Sequence, residues 1–348
     1  MTTIASRGRS LASPRRPGAG RIGRVLALAA VALVVVVAAL AVGARPIPPG
    51  TVLEALVRPD RAVSDHLVVL DLRLPRMLAG ILVGAALGVS GVLMQGITRN
   101  PLADPGLLGV NAGASLAVVL AIWAGGVTGP GELVWFAFAG AGGVAALVYA
   151  LGSLGRGAAT PVRLALVGAA LTALLLALVS AVLLVSQETL QVYRFWVVGS
   201  LAGTERASLL QILPAFAAGL LLALWAGTAL NAVALGDDTA RALGVRLGLA
   251  RAGTLLAVTL LCGAAVALAG PISFVGLVVP HLARGVVGPD QRLGVLAGAV
   301  LGPVVLLGAD VLGRVILPPG EVQVGIMTGL VGGPAFVWVV RHLRIMQP

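Results

Sequence analysis

The chain has 348 residues, of which 59% are hydrophobic and 11% charged. Soluble domains carry about 25% charged residues, so the composition excludes a soluble enzyme and describes an all-α, polytopic membrane protein, in keeping with a mean hydropathy of +1.05. All 24 basic residues are arginine, and the net charge of +11 reads as loop asymmetry across a bilayer, not as a nucleic-acid surface.

Six arginines (Arg7, Arg9, Arg15, Arg16, Arg21, Arg24) precede the first apolar run, 25–44. A cleaved signal has a hydrophobic core of about 7–15 residues. This run is longer and reads as a retained first span behind an arginine-rich cytoplasmic tail, 1–24. Arg73 and Arg76 flank Pro75 just before the second run, 77–97. Within it Gly80, Gly84 and Gly88 share one helix face, which predicts backbone-close packing inside a bundle. A polar knot follows, with Gln95, Arg99, Asn100, Pro101, Asp104 and Pro105. The remaining runs are 106–124, 133–152, 162–185, 208–230, 252–270, 275–288, 293–317 and 324–341, making ten expected spans. The eighth is short and broken by Pro280. One heptapeptide pattern recurs, Leu108-Gly109-Val110-x-Ala112-Gly113-Ala114 and Leu293-Gly294-Val295-x-Ala297-Gly298-Ala299, a weak hint of two related halves.

An even number of spans puts both termini on one side. Loop by loop, that side collects twice as many arginines as the other. Its acids are Asp104, Asp237, Asp238 and Asp290, whereas Glu54, Asp60, Asp65, Asp71, Glu132, Glu188, Glu205 and Glu321 fall opposite. The arginine excess places both termini in the cytoplasm. The lone Cys262 excludes an intrachain disulfide or a cysteine metal cluster.

Between the sixth and seventh spans, the segment around 231–250 reads as a short amphipathic helix. Asp237 and Asp238 in its first turn favour the helix dipole. It is small, glycine-flanked and partly acidic, so it predicts a docked protein partner, not a helix lying in lipid headgroups. On the outer side, 187–204 carries Tyr193, Arg194, Phe195 and Trp196, as an interfacial aromatic belt would.

The motifs then acquire a likeness. Asn100-Pro101-Leu102-Ala103-Asp104-Pro105-Gly106-Leu107-Leu108-Gly109 resembles the signature of FecCD-type permeases, the membrane subunits of ABC importers for iron–siderophores, haem and cobalamin. Gly236-x-x-x-Ala240-x-x-Leu243-Gly244, Gly270-Pro271-Ile272-x-Phe274-x-Gly276-Leu277-Val278-x-Pro280-His281 and Ala309-Asp310 continue the resemblance in the same order. It covers essentially everything after the first span. The resemblance implies the type II ABC importer architecture: ten spans in one permease domain, 25–342, and a second permease subunit, identical or homologous. It also implies two cytoplasmic ATPase subunits and an extracytoplasmic solute-binding protein, in a bacterial cytoplasmic membrane. With no lysine in the chain a phosphate-binding P-loop is excluded, so no cofactor is expected here, ATP and Mg²⁺ belong to the partner, and the chain is not itself an enzyme. The substrate expected from the likeness is an iron–siderophore, with haem or cobalamin as alternatives.

The resemblance also suggests roles. Arg73, Arg76 and Arg314 match arginines that meet glutamates on the binding protein. Snorkelling at helix ends is the rival reading, and Arg314 has Asp310 four residues earlier as a local partner. Gly236, Asp237, Asp238, Ala240, Arg241, Leu243 and Gly244 match the segment that couples to the ATPase. Ala159, Thr160 and Pro161 match the cytoplasmic constriction, though not closely in residue type. Gly325, Gly329 and Gly333 form a second stripe, expected to pack or to flank the pathway. His281 has no companion spaced for metal coordination and reads as a packing or capping residue. An ion-coupled secondary transporter would need relayed intramembrane carboxylates, and only Asp310 qualifies. An intramembrane enzyme would need a clustered acid, Ser–His or metal set, and none is visible.

Overall fold

The computed structural model describes residues 19–43, 46–154, 160–318 and 320–345. Most of the arginine-rich tail, and Ala159, lie outside them. Every regular element among the described residues is helical. In chain order these are α1 (Ala19–Ala41), α2 (Pro49–Val57), α3 (Ser64–Leu67), α4 (Leu74–Thr98), α5 (Val110–Gly125), α6 (Pro130–Ser153) and α7 (Pro161–Val185). They continue as α8 (Gln187–Val197), α9 (Arg206–Val233), α10 (Asp237–Ala242), α11 (Leu247–Ala269), α12 (Val275–Val287), α13 (Gln291–Ile316) and α14 (Val324–Ile345).

Among the described residues, seven helices are long and apolar enough to cross a membrane, and α5, α12 and the apolar part of α14 are three shorter ones. Together they match the ten expected runs. Three boundaries differ. α1 begins at Ala19, inside the expected tail. The third run, expected from 106, divides: Pro105–Leu108 form a 3₁₀ turn, and α5 starts only after Gly109, whose φ of 71° breaks the helix. Asp104 caps that turn by accepting from the Gly106 N–H at 2.7 Å. The second run, expected from 77, is the end of a longer rod. α3 passes through a π-type turn, Val68–Arg73, into α4, giving 35 continuous helical residues, Ser64–Thr98.

That rod is the centre of the fold. Its spanning window is 83% buried, against 17% for α7. It packs most extensively on α13 and α11, then on α12 and α9. The glycine stripe explains how. A Cβ on Gly84 would lie 2.6 Å from the backbone nitrogen of Pro303 and 2.7 Å from the Gly302 carbonyl oxygen; one on Gly88 would lie 2.5 Å from the carbonyl of Gly298. The helices therefore meet backbone to backbone, with Gly80 receiving the Leu307 side chain. The expected burial of this face is what the structure has. A like seam joins α5 to α6, where Gly113 and Gly140 face each other's carbonyls. By contrast α7 leaves Leu166, Leu174, Leu184 and Val185 exposed, an apolar face suited to lipid or to another subunit.

Candidate functional site

Two polar clusters sit at opposite ends of the α4 rod. With 1.5 Å of rise per residue, the 25 residues of α4 separate them by roughly 35 Å.

The first cluster is built on Asp310 of α13, which is fully buried. A carboxylate in an apolar helix is costly unless paired, and this one is paired twice. Arg314, one turn along α13, donates to Oδ2, which is the local pair that the i, i+4 spacing predicts. Arg76 of α4 adds Nη2 to Oδ1 at 2.7 Å and Nε to both oxygens at 3.2 Å. Its remaining Nη1 donates to Glu321 Oε2 at 2.7 Å. Arg73 and Arg314 also close the end of α1. Arg73 Nη1 donates to the carbonyls of Leu40 and Ala41, both at 2.7 Å. Arg314 Nη1 donates to those of Ala39 (2.8 Å) and Val42 (3.1 Å). The last carbonyls of a helix have no partners of their own and attract cations. Removing α1 would take carbonyl acceptors from two buried guanidiniums, leaving Arg314 with Asp310, so α1 is an integral part of the bundle.

This geometry shows how the three arginines expected at a docking face are held. Arg73 and Arg314 are 7% and 4% exposed and face inward, onto α1 and Asp310, rather than outward as free cations. Arg76 is slightly more open, its side chain 12% exposed. All three arginines border one cavity of about 390 Å³, whose wall also includes Leu72, Gly203, Thr204 and Glu321. At the rim, Arg206 donates to the Leu70 carbonyl at 2.8 Å.

The second cluster surrounds α10. Two glycines with left-handed backbones, Gly236 (φ 109°) and Gly244 (φ 82°), bracket this six-residue helix, so the chain reverses tightly on both sides of it. Ala240 is completely buried and seats the helix. Asp238 is fully exposed and pairs with Arg241 at 2.7 Å, and Leu243 is 62% exposed. Asp237 points the other way. Its Oδ1 meets Arg99 Nη2 at 2.5 Å and its Oδ2 meets Arg251 Nη2 at 2.7 Å. Burial alone would raise the Asp237 carboxyl, but the hydrogen bond and charge of Arg99 and the charge of Arg251 outweigh it and hold the group below the usual carboxylate range. Residues expected as one segment thus divide into an outward set (Asp238, Arg241, Leu243, Gly244) and an inward anchor (Asp237, Ala240).

The weaker candidates resolve individually. Thr160 is exposed and caps α7, its hydroxyl accepting from the Arg163 N–H at 3.4 Å, with Pro161 opening the helix. Gly325 packs directly on the Val198 carbonyl, and its N–H donates to the Gly199 carbonyl at 3.1 Å. A Cβ on Gly329 would meet nothing within 4 Å. The second glycine stripe therefore packs closely at Gly325, is open at Gly329, and at Gly333 a Cβ would come only within 3.9 Å of the Phe274 ring. His281 hydrogen-bonds the Leu277 carbonyl through Nδ1 at 2.8 Å, while its buried Nε2 has no hydrogen-bond partner among the described residues. Among the described residues no group of three or more His, Cys, Asp or Glu converges as a metal site would. Sequence reasoning missed Glu321 as the second acid on Arg76, and Arg99 and Arg251 as partners of Asp237. It also missed the bond from Arg284 Nη2 to Gln95 Oε1 at 2.8 Å. These partners are 14 to 245 residues apart, so no local spacing marks them.

A central buried rod, glycine-seamed neighbours, and a small exposed helix on a glycine-hinged loop define a polytopic helical membrane protein. The chain belongs to the FecCD transport family, whose profile matches residues 31–342. It is 44% identical over 332 residues to the ferric enterobactin transport system permease protein of Escherichia coli, covering 93% of this chain and 98% of that one. To the hemin transport system permease protein of Yersinia pestis it is 42% identical over 285 residues, covering 79% and 83%. A solved structure described as an inward-facing conformation of a metal-chelate type ABC transporter superposes with a TM-score of 0.80. It has 29% identity and covers 92% of this chain and 99% of that one. The protein is a permease subunit of a metal-chelate type ABC importer, and ABC permease subunits are not themselves enzymes.

Proposed function

We propose that this permease carries an iron–siderophore chelate into the cytoplasm, taking it from an extracytoplasmic binding protein and drawing energy from two ATPase subunits, one of them docked on α10 of this chain. The observation that supports the substrate class best is the 44% identity, running nearly end to end, with a ferric enterobactin permease. A haem chelate is the second reading, favoured by the hemin permease at 42% identity over a shorter stretch. Both termini and α10 lie in the cytoplasm in this reading, as the arginine asymmetry requires, and the Asp310 cluster faces outside.

The passage itself lies between this chain and a second permease subunit. The chain's contribution is mechanical. At the inner end, the outward set on α10 (Asp238, Arg241, Leu243, Gly244) offers one exposed ion pair and one exposed apolar side chain to a partner groove. At the outer end, Arg76 and Glu321 border an open cavity where a delivering protein's carboxylates would compete with Asp310 and Glu321 for the Arg76 guanidinium. Charge-assisted pairs of this kind orient a docking partner and speed encounter. Thr160 and Pro161, with Gly329, stand where the inner constriction and the pathway wall would lie.

The test is uptake into proteoliposomes holding the complete complex. Ferric enterobactin and haemin, each with a binding protein loaded with it, are compared at fixed ATP. Uptake of the ferric chelate alone fits the proposal. Uptake of haemin alone would move the assignment to the second reading.

A further inference from the structure

Asp237 lies in the segment expected to touch the ATPase, yet its carboxylate turns away from that exposed face. One oxygen is held by Arg99, the residue that ends α4, and the other by Arg251 in the second turn of α11. Arg99 is one of two non-glycine residues with positive φ among the described residues (φ 50°), a backbone state that a non-glycine residue adopts at some cost. That state turns the chain sharply at the end of the rod, where the Arg99 side chain reaches across to α10. The remaining attachments of α10 are slight. Ala240 is its one fully buried side chain, the Asp238–Arg241 pair is internal to the helix, and both flanks hinge at glycines. A six-residue helix so mounted would swing freely if a partner pushed it. The Asp237 bridge ties it to the two most buried spanning helices, α4 and α11. Of these, α4 runs unbroken to Arg76 and the Asp310 cluster at the far end.

We propose that Asp237 is a positioning residue. Through the Arg99–Asp237–Arg251 bridge, movement of the docked coupling helix is delivered to α4 and α11, and along α4 to the outer cluster. This rests on the reading of α10 as the ATPase-docking helix and adds to it the path by which that docking acts.

The test needs no identified solute. In the permease–ATPase complex, spin labels are placed on cysteines at Leu72 (65% exposed) and Phe195 (60% exposed), at the end opposite α10; the native Cys262 is buried and stays unlabelled. The distance change on adding ATP with vanadate is the readout. Arg99→Gln leaves the α10 surface untouched. It is expected to lose at least half of the nucleotide-driven change while the ATPase still co-purifies. Asp237→Asn should lose as much, and the double variant no more than either single one, because both remove the same bridge. Arg99→Lys keeps the charge and should retain the change, which separates loss of the bridge from general misfolding. A full distance change in Arg99→Gln, additive losses in the double variant, or equal losses in Arg99→Lys and Arg99→Gln would each overturn the proposal. If wild-type complex showed no nucleotide response, or no ATPase co-purified with it, the docking reading beneath the proposal would fall instead.

Discussion

Replacing Asp310 by Asn keeps the shape of the side chain and removes the one buried charge to which both Arg76 and Arg314 are bound. Breaking a buried ion pair from one side costs about 3–5 kcal/mol, because the remaining cation is left uncompensated. Two details of the structure place Asp310→Asn toward the lower end. Arg76 keeps Glu321, and Arg314 keeps the carbonyls of Ala39 and Val42. A loss of about 3 kcal/mol is therefore expected. Glu321→Gln is the control. Its side chain is 36% exposed, and an exposed partner contributes on the order of 0–1 kcal/mol. The assay is thermal unfolding of the purified permease in detergent, followed by tryptophan fluorescence. Asp310→Asn should unfold well below wild type and Glu321→Gln close to it. A wild-type transition for Asp310→Asn, or equal shifts for the two variants, would refute the view that Asp310 is the electrostatic centre of this end.

The glycine seam predicts a contrast within one residue type. Gly84→Ala forces a methyl against the Gly302–Pro303 backbone and should cost about 1–3 kcal/mol. Gly329→Ala meets open space and should be neutral or stabilising by up to about 1 kcal/mol; the same thermal assay compares them. Thr160→Ala removes the cap of α7 and should weaken its first turn by about 1 kcal/mol, seen as faster amide exchange over residues 162–164 with the rest of the helix unchanged. Because Arg99 and Arg251 hold the Asp237 carboxyl below its ordinary value, the anchoring of α10 is present above that value and lost as pH falls through the lowered one. Amide exchange in α10, corrected for intrinsic rate, should therefore be flat from pH 5 to 9, with Asp238 and Arg241 the nearest other charges on the helix. A step within that window would contradict the assigned bridge. Arg76→Glu should weaken capture of the permease by its binding protein, and undiminished capture would remove Arg76 from the docking surface.

How much of this was legible beforehand depends on whether the cause was local. The seven spanning helices and three shorter apolar ones follow from apolar runs alone, and the Gly80–Gly84–Gly88 stripe announces backbone contact because the four-residue spacing keeps all three on one face. Pairing of Asp310 with Arg314 was legible for the same reason. The extension of α4 back to Ser64 was not. Asp65, His66, Asp71 and Arg73 read as loop, yet His66 is buried and accepts from the Asp60 N–H at 3.1 Å, and Arg73 is satisfied by carbonyls of α1. Polar residues continue a helix when a distant element supplies their partners, and sequence does not show the partner. The partners of the expected docking arginines were hidden on the same ground. Arg73 and Arg314 sit at helix ends as exposed cations would, but the orphan carbonyls of α1 claim them. At the inner end, glycine spacing and the acidic first turn of α10 were readable, whereas the inward turn of Asp237 depends on Arg99, 138 residues away.

The central claim is that this chain is the membrane half of an ATP-driven importer. The most direct test reconstitutes it with its second permease subunit, its ATPase and a ferric-siderophore-loaded binding protein in proteoliposomes, and follows iron accumulation. Accumulation that requires hydrolysable ATP and stops with vanadate is the predicted result. Uptake that proceeds without ATP and follows an imposed proton or sodium gradient would contradict it.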